Sequence, residues 1–174
     1  MTDAGAFEDL ATYLESEALR VERVLERVVV DLESALAPEL GAAVRHGVMG
    51  GGKRLRPILC AAAYEACGGS RHEKVYDLGA SLELIHAYSL MHDDLPCMDD
   101  AELRRGRSTT HREYGEDVTM RAGAVLIPAA ALQAFNAARA LGCSKAQSLA
   151  VTRELMEAAG GGGMALAATV LSSM

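Results

Sequence analysis

The sequence predicts an all-α bundle, on three observations. Apolar residues recur every three or four positions along most of the chain. No segment alternates polar and apolar residues over strand lengths, and no internal repeat or long linker interrupts the pattern. Ala, Leu and Glu are plentiful while Trp is absent and Phe is scarce, a bias that favours helix because these side chains lose little rotamer freedom there.

Phe7, Leu10, Leu14, Ala18, Val21, Leu25, Val28 and Leu32 form the stripe of a long amphipathic helix, with Glu and Arg on its other face. Ala37-Pro38 ends it, and a shorter helix is expected over 38–48 before Gly50-Gly51-Gly52 breaks the pattern. The next helix should run from Leu55 to Cys67 and stop at Gly68-Gly69. His72 to His92 repeats the helical spacing through Val75, Leu78, Leu82 and Ile85, and Pro96 with its charged neighbours marks a loop. Thr110 with Glu113, and Ser144 with Gln147, have capping-box spacing, so 110–141 and 144–159 are expected as mostly helix, closed by Gly160 to Gly163. The apolar stretch from Met164 to Met174 ends without a boundary signal, which suggests a continuation.

The 174 residues make one domain with enough apolar content to bury a core. A net charge of −7 argues against a nucleic-acid binder, which usually carries a basic surface. The N-terminus lacks the basic and apolar regions of a signal peptide. The longest apolar run, Ala122 to Leu132, is too short to span a bilayer, so a cytoplasmic location is expected. Cys60, Cys67, Cys97 and Cys143 form no ligand-like cluster, and packing is the expected role of Cys60 and Cys67.

Chemistry concentrates in HDDLPCMDDAELRRGR, residues 92–107, where four aspartates fall within eight residues. Like charges so close repel, and a bound hard cation such as Mg²⁺ removes that cost, with substrate phosphates completing its oxygen shell. Neighbouring residues on a helix point about 100° apart, so Asp93 and Asp94 do not aim at one ion together. Asp93 and Asp99 are therefore assigned as metal ligands, Asp99 being returned by the Pro-containing loop, with Asp94 in support. Arg104 and Arg105 beside them suit charge developing on a departing diphosphate. Taken alone, the same run also reads as a solvated, charge-mixed loop.

In GGGKRLR, residues 50–56, three glycines precede a basic helix start where Lys53 and Arg56 can converge on phosphate; a Gly-rich turn with a basic surface is the plainer reading. Residues 47–53 match G-x-x-x-x-G-K, yet Arg54 stands where a nucleotide-binding loop needs Ser or Thr, and the preceding segment reads as helix. A nucleotide-binding loop is excluded.

GGKRLRP at 51–57, LELIHAYSLMHDDLPCMDD at 82–100 and RRGRSTTH at 104–111 occur in this order, and together they resemble the trans-prenyl diphosphate synthases, particularly the bacterial-type farnesyl and geranylgeranyl synthases. The resemblance runs from about residue 15 to 142. It implies an antiparallel bundle of the isoprenoid synthase type around a deep cavity, here a single partial domain over 1–174, incomplete at its C-terminal end. It implies Mg²⁺-dependent head-to-tail condensation of isopentenyl diphosphate with an allylic diphosphate, dimethylallyl or geranyl. Lys53, Arg56, His86 and Arg105 match isopentenyl diphosphate contacts, Asp93 and Asp99 the magnesium ligands, and Arg104 a contact to the allylic diphosphate. Tyr88, five residues before Asp93, matches a bulky residue at the floor of the product cavity. With the Pro96-Cys97 insertion, it points to a fifteen-carbon product, farnesyl diphosphate. Members are commonly homodimers, and pairing with a full-length synthase is also implied as an option.

The match has gaps. Nothing in 101–174 offers a second D-D-x-x-D, Ala124 stands where the family has an acidic residue, and Ala167, Ala168 and Leu171 replace Gly, Gln and Asp after Gly163-Met164. An inactive truncated form, or a non-catalytic partner subunit, is therefore the competing expectation.

Overall fold

The computed structural model describes residues 4–70 and 72–160. Seven helices, α1 Ala4–Ala35, α2 Pro38–Val48, α3 Leu55–Ala66, α4 Lys74–Asp93, α5 Thr110–Tyr114, α6 Glu116–Ala140 and α7 Lys145–Ala159, carry most of them. The all-α class read from the periodicity is the class observed. The expected closure at Gly160 to Gly163, and the apolar segment with Gly163-Met164, Ala167, Ala168 and Leu171, lie beyond the described residues except for Gly160.

α4 is the centre of the bundle, packed against α1, α2, α3 and α6. Its Val75, Tyr76, Ala80 and Leu84 are fully or nearly fully buried. Gly79 lets α3 come close, since a Cβ there would stand 2.6 Å from Pro57 Cβ. α6 has the length and apolarity of a membrane span. Its Ala122, Leu126, Ala130 and Ala134 are wholly buried against neighbouring helices. A connection of only Leu141 to Ser144 folds α7 back beside α6.

Helix α2 starts at Pro38, where a missing N–H costs nothing. Ser144 and Gln147 make the expected capping box, each side chain accepting from the other's backbone N–H, at 3.2 Å and 2.8 Å. The stripe on α1 is buried from Val21 through Val29, with Leu14 and Ala18 partly buried against the core, whereas Leu10 is 49% exposed.

Two expectations need correction. Thr109, not Thr110, is the N-cap of α5, and its side chain makes no cap bond; the stretch 110–141 is mostly helix as expected, in two pieces that meet at Gly115, whose φ of 79° suits glycine. Residues 103–108, read as part of a loop, form a small antiparallel hairpin of β1 Leu103–Arg104 and β2 Arg107–Ser108. Its turn residues, Arg105 and Gly106, both have positive φ, 54° and 76°, the twist that closes a two-residue hairpin.

Candidate active site

α4 ends at Asp93, and the chain then doubles back on itself. The Asp99 N–H donates to Asp93 O at 2.9 Å, Asp100 N–H to Leu95 O at 3.1 Å and Ala101 N–H to Asp94 O at 3.2 Å. This loop places Asp99 beside Asp93. Burial first, and then the charge of Asp99, raise the Asp93 carboxyl above the ordinary aspartate range, with Arg104 opposing. Neither carboxylate makes a hydrogen bond to a side chain among the described residues, so both keep their oxygens for another partner.

Asp94 is used differently. It is 4% exposed, and the Arg104 guanidinium grips both its oxygens, Nε at 2.8 Å from each and Nη2 at 2.5 Å from Oδ1. That pairing raises the Arg104 value further and keeps the group cationic. Arg104 thus stands next to Asp93 with Nη1 as the edge that Asp94 does not engage.

A second cluster forms across the bundle from the glycine loop. Lys53, Arg56, His86 and Arg105 line one cavity of about 410 Å³, with Gly52, Arg54, Leu55 and Glu83 completing it. Four residues that the resemblance assigned to one substrate therefore meet in one place. Arg54, between Lys53 and Arg56, turns inward: its backbone is left-handed at φ 49°, and its guanidinium reaches Glu22 at 2.7 Å, Glu83 at 3.0 Å and Val48 O at 3.1 Å. Glu83 is thereby neutralised, leaving Lys53, Arg56 and Arg105 as the cations that a ligand would meet. Burial and then Arg56 lower the His86 value, with Arg105 and Arg104 acting in the same sense and Glu83 against them. His86 Nδ1 is buried without a hydrogen-bond partner among the described residues.

The hairpin joins the two clusters. Arg104 faces the acidic loop, while its neighbour Arg105 donates through Nη1 to Gly51 O. A Cβ on Gly52 would fall 2.3 Å from that nitrogen and would displace the guanidinium, and the φ of 131° there suits glycine. Arg107 Nη1 to Met49 O at 3.3 Å and His46 Nε2 to Ser108 O at 2.9 Å add to the seam. A helix, α2, precedes the glycine loop, as the exclusion of a nucleotide-binding loop requires.

Tyr88 is half-buried one turn before His92, ring edge to ring face with centroids 4.7 Å apart. His92 Nε2 donates to Met120 O at 3.1 Å, and Gly123 leaves room for that imidazole. Farther from the acidic loop, an apolar cavity of about 480 Å³ opens between α3, α4, α6 and α7, with Cys60, Leu78, Leu82, Ala134, Val151 and Leu155 among its walls.

Among the described residues, no group of three or more His, Cys, Asp or Glu side chains is assembled to hold a metal. The donor set still fits Mg²⁺, which takes one or two carboxylates and leaves its other positions to water and phosphate. Asp93 and Asp99 are two such carboxylates, and a cation would relieve the repulsion between them. The grip of Arg104 on Asp94, the inward turn of Arg54 and the burial of Thr109 were not foreseen. The first had a signal in the supporting role given to Asp94; the other two depend on backbone turns that composition does not reveal.

The described residues thus bring a cationic cavity and a pair of free carboxylates together on a helical scaffold. The chain belongs to the polyprenyl synthetase family, whose model matches residues 37–169. It is 43% identical over 125 residues to geranylgeranyl pyrophosphate synthase 11, chloroplastic, of Arabidopsis thaliana, covering 72% of this chain and 34% of that protein. It is 38% identical over 157 residues to a dimethylallyltranstransferase of Fischerella ambigua, covering 90% and 44%. The structure superposes on a geranyltransferase from Legionella pneumophila with a TM-score of 0.84 at 29% identity, over 95% of this chain and 57% of that one. An FPP/GFPP synthase from Zymomonas mobilis gives 0.77 at 30% identity, over 94% and 59%. The chain thus spans about a third to two fifths of the length of these curated relatives.

Proposed function

We propose that this chain carries the site of a prenyltransferase that condenses isopentenyl diphosphate with an allylic diphosphate, head to tail, in isoprenoid biosynthesis. The observation behind this is the meeting of Lys53, Arg56, His86 and Arg105 in one cavity beside the Asp93–Asp99 pair. Lys53, Arg56 and Arg105 hold the diphosphate of the isopentenyl substrate. Asp93 and Asp99 hold Mg²⁺, which when bound neutralises charge on the allylic diphosphate and makes it a better leaving group. Arg104, oriented by Asp94, faces the same leaving group. The allylic C–O bond breaks with its electron pair on the departing diphosphate. The alkene of isopentenyl diphosphate attacks the allylic cation, and the departed diphosphate takes up the proton whose loss restores a double bond. The protein's part is charge stabilisation and positioning.

Tyr88, the bulky residue five positions before Asp93, supports a fifteen-carbon product. The apolar cavity at Leu78 and Leu82 favours a second reading, a twenty-carbon product, and several relatives are named as geranylgeranyl synthases.

A radiolabelled condensation assay with isopentenyl diphosphate, an allylic diphosphate and Mg²⁺ tests the activity. Product formed by the chain and lost in Asp93→Ala supports it. A folded chain that makes none by itself, but alters product when added to a full-length synthase, favours a partner subunit instead.

A further inference from the structure

We infer that Thr109, braced by His111, is a positioning residue that sets where the acidic loop carries Asp99; this rests on the metal-binding role given to Asp93 and Asp99. Thr109 is 2% exposed and stands at the N-cap of α5, where a threonine hydroxyl ordinarily accepts from the first helical turn. Here it makes no such cap bond. Its Oγ1 reaches back across the hairpin and donates to Ala101 O at 2.7 Å, while its backbone N–H donates to Glu102 O at 3.0 Å. The capping group is spent on the exit of the acidic loop.

The hydroxyl has one proton. With that proton on Ala101 O, the oxygen can only accept from His111 Nδ1, 3.1 Å away, so His111 carries its proton on Nδ1. His111 is 6% exposed, and its Nε2 has no partner among the described residues, so this one bond is the work of a buried imidazole. A relay results: His111 Nδ1–H to Thr109 Oγ1–H to Ala101 O, then Ala101 N–H to Asp94 O at 3.2 Å. Asp94 in turn holds Arg104, and Asp99 N–H closes on Asp93 O at 2.9 Å. Thr109 and His111 themselves touch neither substrate nor metal. They act through the loop that sets the spacing of the two metal-binding carboxylates.

Mn²⁺ replaces Mg²⁺ as a paramagnetic probe, with its binding to the protein read by electron paramagnetic resonance in the presence of inorganic diphosphate. Thr109→Val keeps the shape and removes the hydroxyl, and should weaken Mn²⁺ binding roughly tenfold, as loss of an outer-sphere partner does elsewhere. Thr109→Ser should restore it. His111→Asn places an amide nitrogen near Nδ1 and should retain binding, whereas His111→Gln, which places it near Nε2, should not. Metal-free diphosphate binding at Lys53, Arg56 and Arg105 should be the same in all four variants. Unchanged Mn²⁺ affinity in Thr109→Val, or equal weakening of Mn²⁺ and metal-free diphosphate, would overturn the positioning role. If Thr109→Val does not fold, the His111 pair decides: Asn and Gln behaving alike overturns it. Wild type and Asp93→Asn binding Mn²⁺ alike would instead overturn the assignment of the acidic pair itself.

Discussion

Arg54 donates through Nη1 to Glu83 at 3.0 Å, with both side chains almost wholly inside the protein, 4% and 5% exposed. The guanidinium also binds Glu22 and Val48 O, so it ties α1, the end of α2 and α4 together at the foot of the glycine loop. Removing one partner of a buried ion pair leaves the other charged and unpaired, at about 3–5 kcal/mol. Arg54→Ala should therefore destabilise the fold by that amount in urea denaturation. Lys53→Ala, an exposed neighbour, should change stability by no more than about 0.5 kcal/mol. Equal effects at the two positions would show that Arg54 is no keystone.

Asp93 should destabilise the metal-free protein. Its carboxyl is raised by burial and by Asp99, so the native state holds a proton more tightly than the unfolded chain. Stability then falls as pH rises from the unfolded value of about 3.9 through the higher folded one. Asp93→Asn removes the charge, so in metal-free buffer at pH 7 the variant should unfold at higher denaturant than wild type. The gap should shrink toward pH 4. A variant less stable than wild type at pH 7 would contradict the sign.

His86 should titrate below free histidine, because burial and then the Arg56 charge disfavour its proton. A histidine lowered in this way costs stability as pH falls through the unfolded value of about 6.5. Arg56→Ala should raise the His86 value, and so should inorganic diphosphate, whose charge offsets the cations of the cavity. An NMR titration of the imidazole Hε1 reads both. No upward movement with diphosphate would place the anion somewhere other than this cavity.

How much of this was legible in the sequence depends on how local each signal is. Pro38 at a first helical position, and Ser144 three residues before Gln147, act within one turn, and both gave correct starts. Thr110 and Glu113 have the same spacing and misled, because the hydroxyl that mattered was that of Thr109 and its partner lay across a hairpin. The hairpin was invisible because its strands are two residues each and its turn is Arg-Gly, without the Asn or Asp that usually announces one. In the basic loop, the choice of Arg54 as the inward residue follows from its left-handed backbone and from Glu22 and Glu83, 32 and 29 residues away. Spacing along one helix, by contrast, carried His86, Tyr88 and Asp93 directly onto α4.

Tyr88 should govern product length. It lies five residues before Asp93, about 7.5 Å along the axis of α4, and its ring is braced edge to face by His92. Eleven residues before Asp93, about 16 Å along the same axis, Leu82 begins the wall of the 480 Å³ apolar cavity. Were a prenyl tail to grow away from the acidic loop along α4, Tyr88 would precede that space along the helix axis. In an active preparation, Tyr88→Ala should shift products by one or more five-carbon units, as read by mass spectrometry of the dephosphorylated alcohols. Filling the space should reverse the shift, so Leu82→Phe added to Tyr88→Ala should return the shorter product. A Tyr88→Ala product of unchanged length would make the ring a packing partner of His92 and nothing more. A longer product that Leu82→Phe fails to shorten would send the tail elsewhere than this cavity.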